Sequence, residues 1–239
     1  MTKIKNFFKN ITNSKKKVFA LALSVCVVVL SIASSSIAYF TDTAKFTNTF
    51  TAGNVKIQLS EAEIQKNATT GDVEAIDAVN NRVVATNVAP QTQEYGSVFP
   101  KQHIAKDPKI TNIGSENAYI GAIVTITSTD IDGVLVNETA VRGFVENLPE
   151  AAIADVKIQV DTDEIKIYVV YKNALAKNGE VFVFNGIQIN KDWTNDQMSA
   201  LNGLKIVVDA YAVQTAGMGT NPLAALQEAF NEFDSVTFS

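Results

Sequence analysis

Few residues in this chain have the type and spacing that catalysis requires. Histidine occurs once, as His103, and cysteine once, as Cys26 within an apolar N-terminal run. A zinc-binding HExxH helix, which needs two histidines one turn apart, is therefore excluded. A thiol–imidazole pair is also excluded, because Cys26 lies in a segment that is predicted below to be removed. No Gly-x-Ser-x-Gly elbow and no glycine-rich phosphate loop is present. His103 lies in a polar stretch after Pro100, and we expect a surface loop residue without a catalytic role.

Two pairs of acids could contribute oxygen ligands to a hard cation such as Ca²⁺. Asp130 and Asp132 precede a glycine but have no third acid before it, whereas Asp161 and Asp163 have no glycine at all. Both pairs lie where hairpin turns are predicted, and Asp is common in turns because its carboxylate accepts from nearby backbone amides. They are weak candidates for metal ligands, and we expect no cofactor.

The N-terminus has the order of an export signal. Six lysines and no acid precede an apolar run over Val18–Ala33, which is followed by small residues. Ser36 and Ala38 suit the two shallow pockets of a signal peptidase, so residues 1–38 are predicted to be a signal peptide that is cut between Ala38 and Tyr39. The alternative is an uncleaved anchor, because a bilayer core needs about 20 apolar residues.

Removal of this segment changes the charge and the redox chemistry of the chain. The whole chain has a net charge of -5, and the loss of six lysines makes the exported part more acidic. Nucleic acid is therefore excluded as a partner, because binding it requires a basic surface. A membrane is expected to be contacted only through the signal before cleavage. The exported chain has no cysteine and so no disulfide, but it is long enough to fold without one.

The segment Tyr39–Phe50 carries four threonines and four aromatic residues. In an extended conformation, Phe40, Ala44, Phe46 and Phe50 fall on one face. One interpretation is that the segment forms the first strand, or a packed loop, of its own domain. The other is a donor strand that completes the sheet of a neighbouring copy, where backbone hydrogen bonds supply affinity. Such a contact is head-to-tail and generates a filament if it does not close.

Alternation of apolar and polar residues predicts most of the strands. It is clearest over Val55–Leu59 and in a hairpin formed by residues 155–160 and 165–171. Residues 118–127, 181–189 and 204–213 are partly apolar at both odd and even positions, which predicts central strands covered on both faces. Any strand within residues 97–112 is predicted to be an edge strand, because Pro100 and Pro108 cannot donate to a ladder.

Helices are predicted to be few, short and peripheral. A capping box begins at Thr194, Asn221–Pro222 begins a helix with apolar spacings of three and four, and a third helix is expected from Glu138 to Asn147. Residues 61–95 are interpreted as a long excursion with a short helix near 73–79. The predicted fold is mostly β, with residues 39–239 forming a single antiparallel β-sandwich of jelly-roll type.

Several motifs resemble the TasA and camelysin family. They are Ala38–Asp42 across the predicted cut, Phe50–Val55, Lys106–Ser115 with Ala118–Tyr119, and Ala210–Gln214. The resemblance implies a signal cleaved by a SipW-type signal peptidase. It also implies a jelly-roll domain secreted to the cell surface or extracellular matrix. There, subunits form biofilm fibres by donor-strand exchange through the mature N-terminus.

The sequence thus leaves three functions open. The first is a secreted structural subunit that forms a head-to-tail homopolymer, with Tyr39, Phe40, Ala44, Phe46 and Phe50 in the donor strand. The second is a monomeric surface adhesin or binding module on the same sandwich. The third is a metallopeptidase, a label that the resemblance also carries, but a single histidine gives zinc few ligands. We therefore expect no enzymatic activity.

Overall fold

In a computed structural model of the chain, the described strands form three sheets, which include the strands predicted from alternation. The structure describes residues 41–45, 47–48, 55–76, 82–84, 98–128, 130–234 and 236–238, all of which fall within the unit Phe40–Ser239. In chain order the strands are β1 (Thr41–Lys45), β2 (Thr47–Asn48), β3 (Ile57–Ala62), β4 (Ile64–Lys66), β5 (Val73–Ala75), β6 (Arg82–Val84), β7 (His103–Ile104), β8 (Lys109–Asn112), β9 (Ala118–Thr127), β10 (Val145–Glu146), β11 (Ala154–Val160), β12 (Glu164–Tyr171), β13 (Glu180–Phe182), β14 (Gly186–Gln188) and β15 (Lys205–Gln214).

The largest sheet has six strands in the order β11–β12–β9–β15–β1–β2, and all its pairs are antiparallel. The two longest strands, β9 and β15, lie at its centre, as their apolar residues on both parities predicted. The predicted hairpin is also confirmed, because β11 and β12 pair from Ala154–Tyr171 to Val160–Ile165. The centre of this sheet is therefore the part of the fold that the sequence defines best.

The two smaller sheets have the orders β10–β14–β7–β5–β4 and β13–β8–β3–β6. Their pairs are antiparallel except for β5 with β7, which is parallel. Two strands predicted to lie at edges are interior, because Pro100 and Pro108 stand just outside β7 and β8 rather than within them. Conversely, the stretch 181–189 does not form one central strand, since it contributes to the edge strand β13 and to β14.

A further correction concerns the excursion over residues 61–95. The expected helix near residue 73 is wrong for the described part, where Val73–Ala75 form β5. This strand pairs with β4 on one side and with β7 on the other. Strands of three residues are too short to show a periodicity, so their sequence gives little signal.

The inner face of the six-stranded sheet packs on the other strands. Alternate residues of its central strands, such as Val124 and Val208, join Leu59 and Ile110 of the four-stranded sheet in one buried cluster. Burial of aliphatic side chains from two facing layers is the main stabilising contribution in a β-sandwich. The mostly β fold predicted from the sequence is thereby confirmed, and the layered arrangement is consistent with a sandwich.

The described residues contain four helices, α1 (Glu138–Phe144), α2 (Asn195–Ser199), α3 (Pro222–Ala229) and α4 (Asn231–Asp234). Each of the first three begins as its sequence predicted. Asn137 accepts a hydrogen bond from the Ala140 amide, Thr194 forms a capping box with Gln197, and Asn221 accepts from the Ala224 amide ahead of α3. None of the helices in the described part of the chain has the length and apolar character needed to span a bilayer.

The outer face of the six-stranded sheet is covered by α3 and α4, which we call the C-terminal cap. Leu226, Phe230 and Phe233 pack against aromatic residues of the sheet, with the Phe233 ring 5.2 Å from that of Tyr211. Gly121 on β9 makes this contact possible, because a Cβ there would lie 2.7 Å from Phe233 Cζ and 2.9 Å from Leu226 Cδ1. Helix residues predicted to face the sheets therefore do so.

Candidate functional site

The first strand after the predicted cleavage site lies in the sheet of its own chain. Residues Thr41 to Ala44 of β1 pair with Val213 to Ala210 of β15. On its other side, β1 pairs only with the two residues of β2. The first strand that the structure describes thus shields the edge of β15, one of the two central strands.

The segment 39–50 is not a single extended ribbon. After Lys45 the chain reverses, so that Lys45 pairs with Thr47 and Ala44 with Asn48. The alternation predicted from Phe40 to Phe50 therefore ends at this turn. Of the predicted donor residues, Ala44 lies in β1, whereas Tyr39, Phe40, Phe46 and Phe50 lie outside the described residues, as does the predicted cleavage site after Ala38.

The four candidate metal ligands lie in turns. Asp161 and Asp163 are exposed at the tip of the β11–β12 hairpin, where the Asp161 amide donates to the Glu164 carbonyl. Asp130 precedes the short 3-10 turn that contains Asp132. Among the residues that the structure describes, no three His, Cys, Asp or Glu side chains come together as metal ligands. The geometry thus supports the interpretation of these acids as turn residues.

His103 differs from the surface loop residue that the sequence predicted. It lies in β7, and its Nε2 is 3.0 Å from Oε2 of Glu146 on β10. Because β14 lies between these strands, the pair meets over Gly186, where a Cβ would lie 2.5 Å from the Glu146 oxygen. The His103 amide also donates to Asp72 Oδ1, and this bond is the main reason that the pKa of Asp72 is lowered. His103 therefore connects β7 to β10 and to the residue just before β5.

A buried ion pair lies within the motif Lys106–Ser115. Lys106 Nζ is 2.7 Å and 2.9 Å from the two carboxylate oxygens of Glu61, and both side chains are about 95% buried. The next residue, Asp107, accepts a hydrogen bond from the Ala62 amide. Two consecutive side chains thus hold the end of β3. Each charge of this pair depends on the other, because loss of one partner would leave a buried charge uncompensated.

The same motif contains a second buried polar group. Asn112 is fully buried, and its Nδ2 donates to the carbonyls of Glu116 and Leu175 while its Oδ1 accepts from the Gly114 amide. One amide side chain therefore satisfies two backbone groups of the turn before β9 and a third, at Leu175, in the segment that follows β12. These contacts give a structural reason for the polar residue types in this motif.

A groove of about 830 Å³ lies between α1 and the segment that follows β14. Its floor includes the buried residues Phe144 and Ile189. Trp193 forms one wall and stacks on Phe144, with ring centroids 6.1 Å apart and an interplanar angle of 28°. Six polar residues also line this Trp193 groove: Lys101, Asn137, Thr139, Gln188, Asn190 and Lys191.

The sequence analysis did not identify this groove. Its lining residues come from three separate stretches, around Lys101, over residues 134–144 and over residues 188–193, and only the fold brings them together. The single tryptophan of the chain, in the polar stretch Asn190–Trp193, was the one available signal. A groove of this size, with an aromatic wall and a few polar groups, has the usual features of a ligand site.

Similarity to known proteins does not assign either region. Comparison of the chain with protein-family models, with curated proteins and with solved structures found no match. Functional inference therefore depends on the two features just described, the terminal strand on β15 and the Trp193 groove.

Proposed function

We propose that this chain is a secreted structural subunit of extracellular matrix or cell-surface fibres. In this proposal a SipW-type signal peptidase cuts after Ala38, and the jelly-roll domain polymerises head to tail by exchange of the new N-terminal segment. The observation that carries it is the position of β1, the first described strand after the predicted cut, on the edge of β15. A strand so close to a chain end can leave its place without disrupting another connection.

Exchange preserves the hydrogen bonds of the closed subunit. When β1 of one copy replaces β1 of the next, the same four residue pairs with β15 form between chains instead of within one. The net free energy then depends on protein concentration and on the segment that joins β1 to β3, rather than on new contacts. The subunit of this structure, with its own β1 in place, corresponds to the monomer before assembly.

A cross-linking experiment tests this exchange. Ala44 and Ala210 are directly paired, and antiparallel partners have Cα atoms about 4.5–5.5 Å apart, which a disulfide can bridge. The exported protein with Ala44→Cys and Ala210→Cys should assemble under reducing conditions. Oxidation of the fibres should then give a ladder of covalent multimers on a denaturing gel, whereas oxidation before assembly should trap monomers that form no fibres.

The hairpin at the opposite edge provides a matched control. Gln159 and Lys166 are partners on β11 and β12, so Gln159→Cys with Lys166→Cys should give only cross-links within a chain. Fibres in which the β1–β15 pair also cross-links only within chains would refute the exchange. So would the absence of fibres from the reduced protein in electron micrographs at every concentration tested.

A further inference from the structure

The Trp193 groove has the opposite charge character to the rest of the molecule. The chain has 25 acidic and 20 basic residues, yet the described residues that line the groove include two lysines, Lys101 and Lys191, and no acid. Lys191 is 3.0 Å from Asp192, but both side chains are more than 70% exposed, so this ion pair is weak. The charge of the groove therefore favours an anionic ligand.

Two of the residues that line this groove have unusual main-chain features. Gly143 lies in α1, where glycine disfavours a helix, and no atom lies within 4 Å of the position that its Cβ would occupy. Because Gly143 lines the groove, a larger residue there would extend into the cavity rather than into the core. Lys101 has a left-handed φ of 70°, a conformation in which glycine would be less strained, yet the position carries a cation.

Three amide side chains of the lining are held by hydrogen bonds before any ligand binds. Asn137 Oδ1 accepts from the Ala140 amide. Gln188 Nε2 donates to the carbonyls of Lys101 and Gln102, and Asn190 Oδ1 accepts from the Asp192 amide. Amide side chains held in this way can exchange hydrogen bonds with hydroxyl groups at a small entropic cost.

We propose that the Trp193 groove binds a segment of an acidic glycan. A sugar ring presents a face of C–H groups that packs on an aromatic ring, and the Trp193 ring is held in place by its stacking on Phe144. The hydroxyls of the sugar bond to Asn137, Thr139 and Asn190, and its carboxylates face Lys101 and Lys191. This inference does not depend on strand exchange, because the described lining of the groove comes from residues 101–193.

The single tryptophan makes binding directly measurable. Titration of the exported protein with a galacturonic acid tetrasaccharide should shift the Trp193 fluorescence and release heat in a calorimeter. A neutral galactose tetrasaccharide should bind about tenfold more weakly, since the two lysines contribute only to the acidic ligand. Added salt should weaken binding of the acidic probe but not that of the neutral one.

Variants of Gly143 locate the site. Gly143→Phe fills the groove and should weaken binding of the acidic probe by at least about tenfold, whereas the matched control Gly143→Ala adds one methyl group and should bind within about twofold of the unaltered protein. The exposed substitutions Lys101→Gln and Lys191→Gln, which do not affect the core, should each weaken only the acidic probe. Circular dichroism of each variant establishes that it is folded.

Each of three results would overturn this proposal. Failure of both probes to bind would rule out a glycan as the ligand of the groove. Equal affinity for the two probes, unchanged by the lysine substitutions, would remove the acidic class. Undiminished binding by Gly143→Phe would place any interaction elsewhere on the molecule.

Discussion

The six-stranded sheet is covered on its two faces in different ways. Its inner face packs on strands drawn from most of the chain, and the end of one of them, β3, is held by the Lys106–Glu61 ion pair and by Asp107. Its outer face is covered by one short continuous region, the C-terminal cap, which contributes Leu226, Phe230 and Phe233. The inner cover combines buried charge with aliphatic packing, whereas the outer one depends on aromatic contacts.

This difference separates two kinds of stability. The inner cover cannot detach without loss of the sheets themselves, because its residues are distributed over most of the chain. The cap is one continuous stretch that follows β15 in the chain, so it can detach locally while the sandwich persists. Substitutions on the two faces should therefore differ in how far their effects extend.

The largest effect is expected for Phe233→Ala. Phe233 is fully buried and contacts the rings of Tyr168 and Tyr211, so truncation should reduce the free energy of unfolding by about 3–5 kcal/mol. Phe182→Ala is the matched control, because Phe182 is 48% exposed, and it should cost below about 1 kcal/mol. Urea denaturation measures both. Near-equal losses for the two variants would show that the cap is not an important cover.

A somewhat smaller effect is expected for Lys106→Met on the inner cover. Removal of the ammonium leaves the Glu61 carboxylate buried without it, which should cost about 3 kcal/mol. The double variant with Glu61→Leu should recover most of this loss, because it removes both charges. The control is Lys109→Met, whose partner Glu180 is 47% exposed, with a cost of at most about 1 kcal/mol. A double variant as unstable as Lys106→Met would contradict the pairing.

The smallest effect concerns alkaline pH. Burial, with a contribution from Asp209, raises the pKa of Tyr211 above its ordinary value of 10.0. Since the folded-state pKa is the higher one, its contribution to stability is complete below pH 10 and is lost as the pH rises further. Tyr211→Phe should therefore flatten the decline in stability above pH 10, by at most about 1.4 kcal/mol per pH unit.

The corresponding residue on the inner face extends this measurement. Burial also raises the pKa of Tyr171, whose hydroxyl donates to the Phe182 carbonyl. Urea midpoints at pH 9, 10 and 11 for Tyr211→Phe and Tyr171→Phe compare the two covers directly. Curves parallel to that of the unaltered protein for both variants would show that neither tyrosine contributes to the alkaline decline.

What the sequence could predict follows from the length of each element. β9 and β15 are ten residues each, long enough for apolar residues on both parities to show that both faces are covered. The start of the C-terminal cap was predicted from Asn221 and Pro222, because capping chemistry is local. Contacts between distant residues left no such local pattern. Examples are Lys106 with Glu61, His103 with Glu146 over Gly186, and the lining of the Trp193 groove.

The pairing of β1 with β15 also has a consequence for the order in which the fold can form. Thr41 pairs with Val213, roughly 170 residues later in the chain. Formation of this contact requires closure of a long loop and is therefore slow. Synthesis begins at the N-terminus, so β1 is made well before its partner strand β15. In the proposed exchange, the β15 edge of a neighbouring exported copy competes for β1 until the chain's own β15 has folded, so timing as well as affinity decides which pair forms.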